Sequence, residues 1–121
     1  MLEGQELLLL SIYFQGDIMQ RFIKKEMVIK DKPVTGVEIS WDNGQCVLIV
    51  ADKGLVACGA IDLKVMDEFN FAAAISHGTP EKPLVTTEDL LDAKVTGVTS
   101  EAQNLGIIEG MTGREALEKL L

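Results

Sequence analysis

Three turn signals, Asp31-Lys32-Pro33, Asp42-Asn43-Gly44 and Asp52-Lys53-Gly54, cut residues 22–59 into four short runs. Asn43-Gly44 is the strongest of them, because Asn and Gly accept the positive φ of tight hairpin turns. Between the turns, Val37, Ile39 and Trp41 alternate with Glu38 and Ser40, the pattern of a half-buried antiparallel strand. Phe22–Lys30 shows a mixed alternation, and Leu55–Gly59 makes a fourth run. Cys46–Ala51 is apolar at every position, so it is buried on both faces, or buried on one and covered by another subunit on the other. The segment reads as a four-stranded antiparallel meander.

After this meander the chain reads mainly as short helices. Asp62 stands where an N-cap belongs, ahead of a helix over Leu63–Phe69 with Leu63, Met66 and Phe69 facing inward. The alanine-rich stretch Phe71–His77 reads as a short buried strand, and Thr79–Val85, with Pro80 and Pro83, as a loop. Thr86 or Thr87 caps a helix over Glu88–Ala93, and Lys94–Thr96 suits a short edge strand. Thr99 or Ser100 caps a helix that stops at Gly106. Thr112 and Glu115 have the spacing of a capping box for a last helix, with Leu117, Leu120 and Leu121 as its apolar stripe. The expected fold is α+β, an N-terminal meander followed by short helices and one or two further strands, in one domain over 19–121. Residues 1–18 read as an N-terminal extension whose Leu7–Leu10 run has no clear face. Gly16-Asp17 must be encoded GGN GAY, which can spell a ribosome-binding sequence just before the Met19 codon, so Met19 is an alternative start.

The formal net charge is −8, and most of the excess acid lies C-terminal: residues 62–121 carry 5 Lys+Arg against 11 Asp+Glu. Such a field repels phosphate backbones and anionic membrane surfaces, so neither nucleic acid nor membrane is an expected partner. Glu3 and Glu6 precede the Leu7–Phe14 run where a signal peptide needs basic residues, which points to the cytoplasm. With two cysteines, no CxxC and a single histidine, the usual zinc ligand sets are missing, and no metal is expected. If 52–54 is a hairpin turn, Cys46 and Cys58 face each other about two positions out of register. Diagonal neighbours lie roughly 7 Å or more apart, too far for a relaxed disulfide. Both are read as free thiols in a reducing compartment.

Two stretches, Cys58-Gly59-Ala60-Ile61-Asp62 and Ser100–Leu120, with Thr87–Ala93 between them, resemble the YunC-like bacterial and archaeal proteins, a domain of unknown function numbered 1805. The match runs from about Ile23 to the C-terminus. The resemblance implies a small α+β fold whose N-terminal β region mediates tetramer formation. It implies no assigned activity, cofactor or substrate, and hence no catalytic residues. Residues 1–18 and a longer Thr79–Val85 link depart from the family pattern.

Three clusters could carry chemistry. Cys58 falls near the start of the helix after Asp62, where backbone N–H groups lower a thiol pKa, and Gly59 would let a ligand approach the backbone. Its competing reading is an inert core cysteine. His77 would serve as its base if the 71–77 strand lies beside 55–59, with Asp62 a helix cap or an acid. Thr112, Gly113 and Arg114 offer backbone donors and a guanidinium to a small anion, or merely cap and solvate the last helix. The sequence therefore supports a homo-oligomeric binding or structural module, with a thiol-dependent enzyme or redox-responsive protein using Cys58 as the alternative.

Overall fold

The computed structural model describes residues 20–121; the expected N-terminal extension and the alternative start at Met19 lie outside them. The strands are β1 (Arg21–Ile29), β2 (Lys32–Trp41), β3 (Gly44–Val50), β4 (Gly54–Cys58), β5 (Ala72–Ser76) and β6 (Gly97–Val98). The helices are α1 (Leu63–Glu68), α2 (Thr87–Asp92), α3 (Ser100–Asn104) and α4 (Gly113–Glu118). The strands form one sheet in sequence order. The β1–β4 meander is antiparallel, as its turn signals predict, whereas β5 returns through α1 to lie parallel to β4. The α+β class is as expected.

The turns themselves differ from the expectation. The β1–β2 turn is Lys30-Asp31, with φ of 48° and 66° and Ile29 opposite Lys32. Two left-handed residues in a two-residue loop match the twist of the strands. Pro33 therefore sits inside β2, beyond the reach of β3, whose pairing with β2 begins at Thr35. The β2–β3 loop is Asp42-Asn43 rather than Asn43-Gly44, since Gly44 in β3 already pairs with Trp41, and it uses no positive φ. A Cβ at Gly44 would lie 2.6 Å from the exposed Trp41 indole, which would have to swing aside to admit it. Two further boundaries move. The edge strand is Gly97–Val98, and Lys94 makes only an isolated bridge to Thr112. Phe69 does not face inward: α1 ends at Glu68, Asn70 turns the chain with φ 61°, and the Phe69 ring stacks on Phe71 at the surface, 5.8 Å between centroids.

One face of the sheet carries the core. Val34, Val47, Ile49, Val56, Ala72 and Ala74 pack under Leu90 and Leu91 of α2 and Ala116 and Leu117 of α4, joined by Val95, Ile107 and Leu120. Apolar burial of this kind contributes roughly 25 cal/mol per Å². All four helices are capped, α1 by Asp62 and the others by threonine: Thr86, Thr99 and Thr112 accept from N–H groups of their first turns, with reciprocal capping boxes at Asp89 and Glu115.

The start of α2 is tied to the sheet by charge. The Thr87 N–H donates to Glu38 Oε2 at 2.7 Å, and Lys25 Nζ lies 2.7 Å from the same oxygen and 3.2 Å from Glu88 Oε1. Gly36 lies beneath, where a Cβ would meet Thr87 Cγ2 at 2.6 Å. Burial alone would push the Glu38 carboxyl up, but the hydrogen bonds from Lys25 and the Thr87 N–H outweigh it and hold the group below its ordinary 4.5. A depressed carboxyl contributes stability above its unfolded pKa and loses it as pH falls through the folded value. Asp89, held down by the Thr86 and Val85 N–H groups, acts with the same sign. We expect Glu38→Gln to lower stability at neutral pH by about 1–2 kcal/mol. We also expect it to flatten the loss of stability on acidification through pH 4.5, read from urea midpoints; an unchanged acid slope would refute the assignment.

Candidate functional site

The parallel pairing of β4 and β5 brings the sequence's candidate residues to one end of the sheet. Cys58 stands opposite Ser76, so Gly59 and His77 follow side by side at the carboxyl ends of two adjacent parallel strands. In sheets with parallel strands this end is where ligand crevices form. Here the His77 ring covers Gly59, with Cδ2 2.5 Å from where a Cβ would stand. Gly59 is thus needed for the close approach of a side chain of the same protein. His77 Nδ1 lies 2.7 Å from Thr96 Oγ1.

Cys58 looks the other way. It is 8% exposed and belongs to the hydrophobic core. Its sulfur accepts from the Val47 N–H at 3.5 Å, and its thiol points to Cys46 Sγ at 3.9 Å. Among the described residues no hydrogen bond joins it to His77, because successive residues of a strand project to opposite faces. Asp62 caps α1, accepting from Lys64 N and Val65 N, and is occupied there.

The expected distance between the cysteines is corrected. Leu48 pairs with Ala57, so continuing the register puts Cys58 opposite Val47, one position from Cys46 rather than two. β3 and β4 pair no further beyond that rung, Cys46 and Cys58 staying paired to Ile39 and Ser76, and the two sulfurs lie 3.9 Å apart. Both thiols are free. Burial, followed by the neighbouring Cys58, pushes the Cys46 thiol up to about 11. The thiolate is the reactive form. Alkylation of Cys46 should therefore keep accelerating about tenfold per pH unit through pH 10. A plateau near the ordinary value of 9.0, measured with iodoacetamide and peptide mapping, would contradict this.

The start of α4 is not the free-donor site that the sequence suggested. The Thr112 N–H donates to Glu115 Oε1 at 2.9 Å, the Glu115 N–H to Thr112 Oγ1 at 3.1 Å, and the Gly113 N–H to Ala93 O at 2.8 Å. The Glu115 carboxylate stands where an anion would have to go. Gly113 serves packing: a Cβ there would lie 2.1 Å from Leu90 O. Arg114 is exposed beside this cap.

Sequence reasoning missed a cleft of about 370 Å³ beside β5, lined in part by His77, Lys82, Leu84, Asp89, Asp92 and Lys94. Its residues come from the 77–85 loop, α2 and the segment after it, so no local motif announces it. The Asp89 carboxylate is committed to the Val85 and Thr86 N–H groups. His77, Lys82, Asp92 and Lys94 leave a mixed-charge rim suited to small polar ligands, without a paired nucleophile and base. No group of three or more His, Cys, Asp or Glu among the described residues could hold a metal ion. Nor is any described helix long and apolar enough to cross a membrane.

The model of a domain of unknown function, DUF1805, matches residues 57–120, from the end of β4 through α4. The uncharacterized protein YunC of Bacillus subtilis (strain 168) is 34% identical over 95 residues, which span 78% of this chain and 93% of that protein. A crystal structure of a protein of unknown function from Thermoplasma acidophilum has the same fold, with a TM-score of 0.77 and 24% identity over 84% of this chain and 95% of that one. On the family match and the YunC similarity together, the chain belongs to the YunC-like DUF1805 family.

Proposed function

We propose that this chain is a cytoplasmic homo-oligomeric module, a homotetramer assembled through its N-terminal β region, that binds a small ligand or protein partner. The observation that carries the reading is an apolar face left uncovered among the described residues. Register and alternation put Phe22, Val28, Val37, Ile39, Trp41, Leu48 and Val50 on the side of β1–β3 away from the core. Val28 is 69% exposed, Phe22 67%, Trp41 45% and Val50 41%. On β3, Val47 and Ile49 are fully buried while the alternate positions stay open, the one-sided burial that a second subunit completes.

A second feature supports four copies rather than two. β1 is a nine-residue edge strand. Among the described residues its outer edge is unpaired, and an edge of that length is a template for another strand. An antiparallel pairing of two β1 strands about Lys25 sets Phe22 against the partner's Val28 and Lys24 against the partner's Glu26. Each Lys25 at the axis is already neutralised by its own Glu38 and Glu88. Such a two-fold axis runs perpendicular to the sheet and keeps both apolar faces on one side, ready for a second dimer. Edge and face are two independent isologous contacts, the recipe for a dimer of dimers. A net charge of −8 per chain keeps the assembly off nucleic acid and anionic membranes. Sedimentation equilibrium tests the reading: the expected mass is four times the 13.2 kDa chain, and a monomer at micromolar concentration ends it.

A further inference from the structure

We propose that Cys46 and Cys58 form a reversible dithiol–disulfide couple, an intrachain modification site whose co-reactant is a low-molecular-weight disulfide. The sulfurs are 3.9 Å apart across the β3–β4 hairpin. A disulfide needs about 2.05 Å. Rotation about the two Cα–Cβ bonds brings the sulfurs closer without moving the backbone, which stays held by the Ile39↔Cys46 and Cys58↔Ser76 pairs; β3 and β4 themselves make no rung beyond Leu48↔Ala57. The Val47 N–H holds the Cys58 sulfur in place from the other side.

The two cysteines have different roles. Cys46 is half-buried and meets the co-reactant; Cys58 lies in the core and meets only Cys46. In the first step the Cys46 thiolate attacks one sulfur of R–S–S–R. That bond breaks, a thiolate RS⁻ leaves, and it takes up the proton that Cys46 released to solvent. In the second step the Cys58 thiolate attacks the Cys46 sulfur, the protein disulfide forms, and a second RS⁻ leaves and is protonated. Two protein thiols are oxidised by two electrons, and one small disulfide is reduced to two thiols. Holding the second thiol beside the first makes that step intramolecular, so the mixed disulfide does not accumulate. The high pKa of Cys46 keeps its thiolate fraction small and so slows the first attack.

The test is to incubate the folded full-length protein with oxidised glutathione, quench with acid, and map thiols by mass spectrometry. The expected product has lost both thiols together, carries a Cys46–Cys58 peptide and is lighter by about 2 Da, the two hydrogens removed. Dithiothreitol should restore the dithiol. Cys58→Ser should stop as a glutathione adduct on Cys46, and Cys46→Ser should leave Cys58 unmodified until the protein unfolds. Because assembly through the apolar face covers Cys46, the same reaction is run on Val50→Glu, which charges that face; an intrachain bridge in either protein supports the couple. Thiols retained in both, a stable adduct on Cys46 in the wild type, or bridges only between chains would each overturn it.

Discussion

We expect Val28→Glu to dissociate the proposed assembly. In the proposed edge-to-edge dimer the Val28 side chain is buried against the partner's Phe22, and the two-fold axis doubles every contact. Burying one valine contributes roughly 1.5–3 kcal/mol, so losing two removes about 3–6 kcal/mol from the dimer contact. A buried carboxylate without a partner adds a further penalty. At 1.4 kcal/mol per tenfold, the dissociation constant of that contact rises at least about 100-fold. Light scattering should show the mean mass falling at least to half that of the wild type at equal concentration. The monomer should keep its fold, since Val28 points away from the core and is 69% exposed in the single chain.

The register of that contact can be checked without touching an apolar group. Lys24→Glu alone sets like charges against the partner's Glu26, and Glu26→Lys alone does the same against the partner's Lys24. The double exchange restores opposite charges across the axis. Within one chain Lys24 and Glu26 are well exposed and 3.9 Å apart, so the exchange leaves the monomer almost unaffected. Weakening by each single change and recovery by the double belong to a pairing centred on Lys25 and to no other register with the same faces.

The strands are the most legible part of the molecule, for a physical reason. A meander is a local object: each strand pairs with its sequence neighbour, so turn residues and period-two patterns announce it directly. Even there the signals mislead in detail. Asp31-Lys32-Pro33 looks like the turn, yet the loop is Lys30-Asp31, because a two-residue left-handed loop fixes Ile29 opposite Lys32. The threonine caps of α2, α3 and α4 are also readable, since a cap is a three-residue contact. Phe69 escapes the pattern because a helical stripe does not reveal where α1 ends, and it stacks instead on Phe71.

The candidate site is legible only in pieces. Cys58, Gly59 and His77 stand out in the sequence, and the β4–β5 adjacency does bring their strands together. What decides their chemistry is which way each side chain points, and one residue of register sets that. Opposite Ser76, Cys58 turns into the core toward Cys46, while His77 turns over Gly59 toward Thr96. A shift of one residue would have exchanged them. The cleft beside β5 draws on segments up to 17 residues apart and has no periodicity to betray it. Gly113 attracts notice in the sequence as a backbone donor, but its importance lies in the hydrogen that stands for its side chain.

Gly113→Ala should be among the most damaging single-methyl changes at the described residues. Gly113 opens α4, and a Cβ there would lie 2.1 Å from Leu90 O and 3.0 Å from Leu90 C. Both are backbone atoms, so no rotamer change relieves the clash. The helices α2 and α4 must move apart, and the movement pulls Leu90, Ala116 and Leu117, all fully buried, out of contact. It also stretches the 2.8 Å bond from the Gly113 N–H to Ala93 O. Overpacking of this kind costs about 3 kcal/mol or more where the neighbours cannot yield, a large part of the 5–15 kcal/mol that holds a domain together. Gly110→Ala is the control. Gly110 has φ +95° but nothing within 4 Å of a Cβ, so it bears only a backbone penalty of about 1–2 kcal/mol. Urea unfolding of the two variants separates steric from conformational cost. If Gly113→Ala proved no less stable than Gly110→Ala, the close approach of α4 to α2 would not be what demands glycine at the start of the last helix.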